Sequence, residues 1–203
     1  MNSSHEIREY WKDLLVPVPD TGFQDFTIPT HIQVFLQDVG LPEDERLNRY
    51  LKLGLRFTPQ RIRSIEFGNT MYLVVGSIVP IHDYLEPFDE YICLREVTGE
   101  VFVLEPQAQF TPALQLMNEG PQHLLLCLKR CLQYTPRLIE LAHQIDNLVQ
   151  DRQVEEGRQP DYDPQKEYDQ MVAILRKDLA EIDPLALARS DYYWPSVLLD
   201  WSI

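Results

Sequence analysis

The chain lacks an excess of basic residues. Its 203 residues hold 18 Lys and Arg against 32 Asp and Glu, a formal net charge of −14. Phosphate contacts need clustered Lys and Arg, so this balance argues against a nucleic-acid binder and against docking on anionic lipid. Long apolar runs are missing too. The longest, about Met71 to Ile81, is broken by Gly76 and Pro80, whereas a spanning helix needs roughly 20 residues. The stretch Met1 to Tyr10 is polar and has no apolar core of a secretory signal. Cysteine is scarce: Cys93, Cys127 and Cys131 are an odd number, two of them in a helical stretch, and do not suggest a disulfide framework. Together these absences read as a soluble, cytoplasmic protein with reduced thiols.

Motifs of chemistry are absent as well. No GxGxxG, GxxxxGK[ST], GxSxG, HExxH or CxxC occurs. His123, Cys127 and Cys131, four residues apart, share one helical face, and imidazole with thiolates suits zinc. That face is otherwise rich in Leu and shows no fourth ligand, so it reads as small apolar cysteines in a packed helix. Cys93 beside His82 suggests a nucleophilic pair, but Cys93 reads as a strand residue packed in the sheet. His143 and Asp146 read as a surface pair. The expectation is a chain with no catalytic residue, no metal and no cofactor.

What is present is a full complement of apolar residues, 44% of the chain, in periodic patterns. His5 to Leu15 predicts a short helix. Pro29 opens a second, with Ile32, Phe35, Leu36 and Val39 as its face and Gly40 as its left-handed stop. The middle predicts an antiparallel meander: Ile62 to Phe67 and Met71 to Val79 joined at Gly68-Asn69, then Glu90 to Glu96 and Glu100 to Leu104 joined at Thr98-Gly99. Helices follow: Pro121 to Tyr134, a new one started by Thr135-Pro136 and running to about Val149, and a third capped by Asp163-Pro164 with Tyr168, Met171, Val172, Leu175, Leu179 and Ile182 on its face. Asp183-Pro184 repeats that start signal before an aromatic end, Tyr192, Tyr193, Trp194 and Trp201, expected to cap the core, with a dimer contact as the alternative. The class is α+β: N-terminal helices, a central, mostly antiparallel twisted sheet, and C-terminal helices packed against it. Residues 1–150 form the core and 151–203 a helical extension of the same domain, with the polar stretch Asp151 to Pro160 as the linker.

The charge is uneven. Asp83 to Glu105 carries seven acids and one base, whereas Lys52 to Arg63 carries four bases and no acid. Tyr84, Phe88 and Tyr91 lie among the acids, and aromatic anchors ringed by charge are what a protein-binding patch needs. The candidate contact residues are Asp83, Tyr84, Glu86, Phe88, Asp89, Glu90, Glu100 and Glu105; the bland alternative is a solvated surface.

Three stretches carry a family resemblance. Phe35-Leu36-Gln37-Asp38-Val39-Gly40-Leu41-Pro42 resembles a helix ending in a Gly-Leu-Pro turn. Val75-Gly76, Tyr91-Ile92-Cys93-Leu94 and Gly99-Glu100-Val101-Phe102-Val103-Leu104 are similar to a strand, turn, Gly-x-Val pattern. Met117-Asn118-Glu119-Gly120-Pro121-Gln122-His123-Leu124 sits where an Asn-Ser-Ser-like helix start is found, with Glu119-Gly120 replacing the small polar pair and Asn118 a good cap in its own right. Ile182-Asp183-Pro184 and Trp194 resemble the ending. These patterns are those of the SUKH superfamily of immunity proteins, particularly its fourth bacterial subgroup. The resemblance implies a non-enzymatic protein that neutralises a cognate polymorphic toxin by direct contact. Where that toxin is a nuclease, an acidic face imitates the phosphate backbone. A regulatory or scaffold module of the same fold without a toxin partner is the second reading, and a small hydrolase or metal-binding protein the third. Oligomeric state is not readable from the chain.

Overall fold

In the computed structural model, residues 3–23, 26–43, 47, 54–78, 90–106, 114–152 and 163–200 are described. Helix α1 (Ser3–Trp11) tightens into a 3-10 turn at Lys12–Leu14, and β1 (Leu15–Val16) follows. Helix α2 (Thr30–Asp38) starts directly after Pro29, whose carbonyl accepts from the Ile32 and Gln33 amides. It stops at Gly40, φ +88°, and the chain returns as β2 (Leu41–Pro42) antiparallel to β1. A Cβ at Gly40 would lie 2.2 Å from the Val16 carbonyl oxygen, so only glycine lets the helix end close onto β1.

The sheet is an antiparallel meander, as the turn signals predict. β5 (Thr70–Ile78), β6 (Glu90–Arg95), β7 (Val101–Leu104) and β8 (Leu114–Asn118) pair in chain order. The other edge of β5 is shared end to end by β3 (Leu55–Phe57) and β4 (Arg63–Phe67). Gly76 permits the β3 approach, since a Cβ there would meet the Arg56 carbonyl oxygen at 2.6 Å. The Gly68-Asn69 turn has positive φ at both residues, and Gly99 has φ +75°. Strands β1, β2, β3 and β8 carry no alternation strong enough to announce them; they exist because partners distant in sequence complete their hydrogen bonds.

One face of the sheet, through Leu73, Val75, Ile92, Leu94, Val101, Val103 and Met117, joins the main core with the helices. The opposite face gathers Tyr72, Val74, Cys93, Phe102, Leu104 and Leu116 into a second cluster. β7 is buried on both faces, which is why it reads as an unbroken apolar run.

The helical part departs from expectation at one point. Thr135-Pro136 does not start a new helix: α3 runs unbroken over Pro121–Arg152 with Pro136 inside it. Proline removes the bond that residue 136 would give to the Leu132 carbonyl. One residue back, the buried Thr135 hydroxyl donates to the Cys131 carbonyl at 2.7 Å. Packing on both sides of the proline, from Leu124, Leu128, Leu138 and Leu141, holds the helix through it. Residues 153–160 of the expected linker lie outside the described residues, while 151 and 152 end α3. Helix α4 (Pro164–Ile182) begins at Asp163, whose side chain accepts from the Lys166 amide. Its face of Tyr168, Val172, Leu175 and Leu179 enters the main core. A 3-10 turn at Leu185–Leu187 leads to α5 (Tyr193–Asp200), which buries Tyr193 and Trp194. Trp201 lies outside the described residues.

Candidate partner-binding surface

Local pairing places the acids of the sheet. β6 and β7 run antiparallel with Tyr91 opposite Leu104 and Leu94 opposite Val101. Glu90 and Glu105 therefore meet at one end of the ladder, and Glu100 sits at the other, about 15 Å away at roughly 3.3 Å per strand residue. Glu90 shares a face with Ile92 and Leu94 and looks toward the helices. Burial pushes its carboxyl above the ordinary range, and the Glu105 charge adds to the rise. The buried Tyr193 hydroxyl is pushed up as well, by burial first and then by Glu90 and Cys131. Glu100 is held differently: its carboxylate pairs with the Arg95 guanidinium at 2.8 Å and accepts from the Thr98 hydroxyl at 2.7 Å. The structure thus brings Glu90 and Glu105 together and separates Glu100 from them. Asp83, Tyr84, Glu86, Phe88 and Asp89 lie outside the described residues, in the connection from Ile78 to Glu90. Ile78 and Glu90 face each other across β5 and β6, so that connection is tied at both ends to the Glu90–Glu105 end of the sheet.

The thiols are poor nucleophiles here. All three are free and fully buried. Burial pushes the Cys93 thiol up to about 12, with Arg63 opposing. Cys127 and Cys131 are pushed up by burial too. Metal binding and nucleophilic attack need thiolate, which this environment disfavours. His123 does not join them: its ring is partly exposed, with Nδ1 4.0 Å from Glu119 Oε2. Among the described residues no three His, Cys, Asp or Glu side chains are arranged to hold a metal ion. His82 lies outside the described residues.

A groove crosses the helical side. Its first part, ≈ 380 Å³, is lined by residues including His5, Arg8, His31, Val34 and Asp38. The second, ≈ 310 Å³, shares His31 and Gln122 and adds His123, Glu119, Glu100 and Leu185. Its mixed charge selects no ligand. Sequence reasoning also missed what Asn118 does. It ends β8 instead of capping α3: its amide donates to Asp183 Oδ2 at 2.9 Å, and its carbonyl oxygen accepts from the Trp194 indole at 3.1 Å. Asp183 Oδ2 accepts the Glu119 amide at 2.8 Å, and Oδ1 the Ala186 amide at 3.1 Å. The last three short motifs noted in the sequence thus converge on one network, in which Asn118, Asp183 and Trp194 are fully buried.

Among the described residues no helix is long and apolar enough to cross a membrane. Compared with models of protein families, residues 9–200 match the one described as SUKH-4 immunity protein. No curated protein and no solved structure matches the chain.

Proposed function

This chain belongs to the SUKH-4 immunity protein family, and we propose that it neutralises a cognate polymorphic toxin domain by direct contact, without catalysing a reaction. The match over residues 9–200 carries this reading. It supports an immunity function and a protein partner; the toxin's identity and the contact face are our own inference.

The contact face we assign is the Glu90–Glu105 end of the sheet, with Asp83, Tyr84, Glu86, Phe88 and Asp89 in the connection tied to it. Acids that arrive together at one end of a rigid ladder act as one field, which steers a basic partner and fixes its register. Tyr84 and Phe88 supply the anchors such a field needs for affinity. A toxin with a basic cleft, a nuclease above all, suits this face. Glu100 drops out of the contact, because it lies at the far end and its charge is already spent on Arg95.

The test is titration calorimetry with the toxin domain encoded beside this gene. The expected result is a one-to-one complex at moderate salt, weakened at least tenfold by combined Asp83→Lys, Glu86→Lys and Asp89→Lys, with a flatter salt dependence. Absence of a complex would overturn the reading. A complex untouched by the reversals would move the contact elsewhere on the molecule.

A further inference from the structure

The basic stretch that interrupts this acidic chain runs into the sheet edge formed by β3 and β4. Arg56 on β3 and Arg63 on β4 are exposed, and Arg61 is exposed in the connection between them. Both strands lie on the same edge of β5. Register puts Arg56 in a row with Ser77 and Tyr91, and Arg63 two rows on with Val74 and Cys93, past the row of Phe57, Gly76 and Ile92 and the bulge between Val74 and Gly76. The two arginines thus emerge on the same face of the sheet. Arg63 is held 4.7 Å from the centre of the Tyr91 ring, which orders the side chain and leaves its N–H groups for another acceptor.

None of these three arginines has an acidic partner among the described residues. Others do: Arg95 pairs with Glu100, Arg137 with Glu140 and Glu167, and Arg189 with Asp191, all at 2.7–2.8 Å. Three exposed guanidiniums with no carboxylate partner among the described residues offer their N–H groups to an acidic ligand. A second observation concerns the backbone. β4 pairs with β5 alone, and among the described residues nothing pairs with its outer edge. Arg63, Ser64 and Glu66 along it are exposed. Every second residue of such an edge turns an N–H and a C=O outward, a template for an added strand.

We propose that the β4 edge with Arg56, Arg61 and Arg63 is a docking site for an acidic, extended segment of a partner protein. The outward N–H and C=O groups bind the segment's main chain, and the arginines bind its carboxylates in bidentate fashion. Nucleic acid has no alternating amide edge to pair with β4, and the net charge of −14 repels it. A second copy brings that same charge; antiparallel pairing about Ile65 sets its Glu66 against Ser64 and leaves the arginines unmet. This docking site is centred on the β4 edge, with Arg56 one register row from the Glu90–Glu105 end, and it stands whether or not the toxin-blocking reading holds.

The test uses fluorescence anisotropy with an eight-residue peptide of alternating Glu and Val, its Gln-Val counterpart, and a backbone N-methylated Glu-Val version. The expected result is that the acidic peptide binds at least tenfold tighter than either control at low salt, that binding weakens as salt rises, and that hydrogen exchange slows at Ser64 to Glu66. Combined Arg56→Glu, Arg61→Glu and Arg63→Glu, all at exposed positions, abolishes binding while the unfolding midpoint holds. Equal binding of the neutral peptide, protection elsewhere, no binding, tighter binding of an oligonucleotide, or dimerisation through β4 in sedimentation would each overturn the proposal.

Discussion

The side-chain amide of Asn118 donates to the Asp183 carboxylate at 2.9 Å, and both residues are fully buried. One ends β8 and the other ends α4, 65 positions apart. With the Trp194 indole on the other side of Asn118, this pair fastens the sheet edge to the C-terminal helices. No cation neutralises the carboxylate among its hydrogen-bond partners; three N–H donors satisfy it instead.

Asp183→Ala strands those three donors in the core. A buried unsatisfied donor costs about 1–3 kcal/mol, so the expected loss is about 4 kcal/mol, or roughly 10 °C in Tm for a chain of this size. Trp194→Phe removes one donor and costs less, about 2 kcal/mol. Urea and thermal unfolding check both values, and equal losses for the two variants would contradict the geometry.

Gly40→Ala meets both a left-handed φ of +88° and the Val16 carbonyl oxygen at 2.2 Å. Gly68→Ala meets only φ +57°, with nothing within 4 Å. The expected losses are about 3 kcal/mol or more for Gly40 and about 1 kcal/mol for Gly68. The difference between the two midpoints measures the contact separately from the backbone strain.

Glu90 makes stability depend on pH. Burial, then Glu105, raises its folded pKa above the ordinary 4.5, so folding favours the protonated carboxyl. That advantage is complete below the unfolded value and is lost as pH rises through the raised one. Glu90→Gln keeps the neutral form at every pH. Its Tm is expected to exceed that of the parent by roughly 1–3 °C at pH 7.5, with the gap closing by pH 4. A gap that widens on acidification would reverse the sign of the argument.

The thiols report opening of the core. Cys93, with its pKa pushed up to about 12, and the equally buried Cys127 and Cys131 hold their protons at pH 8. Labelling with a thiol-reactive chromophore is expected to run more than about a hundredfold slower in the native protein than in urea. Fast labelling of one thiol in the native state would expose a local opening at that position.

Much of this architecture is readable along the chain where the signal is local. Gly68-Asn69 and Thr98-Gly99 announce their turns, Gly40 its helix stop and Asp163-Pro164 its helix start, because each acts on neighbours within four residues. β3 and β8 escape such reading, since Leu55–Phe57 and Leu114–Asn118 become strands only by pairing with β5 and β7. Thr135-Pro136 carries a sound start signal that tertiary packing overrides. The candidate face divides in the same way. The acidity of 83 to 105 is plain in the sequence, but the joining of Glu90 to Glu105 and the removal of Glu100 to the far end follow from the hairpin register.

The sequence by itself determined the class of fold, the sign and rough position of the charge, and the short motifs shared with the immunity family. Those are properties of composition and of contacts within a few residues. Only the tertiary structure decided which motifs meet: Asn118 with Asp183 and Trp194, Glu90 with Glu105, Arg63 with Tyr91. Each of those pairs is set by strand register and helix packing, whose energy comes from burying surface between segments far apart in the chain, and no local pattern encodes that choice of partner.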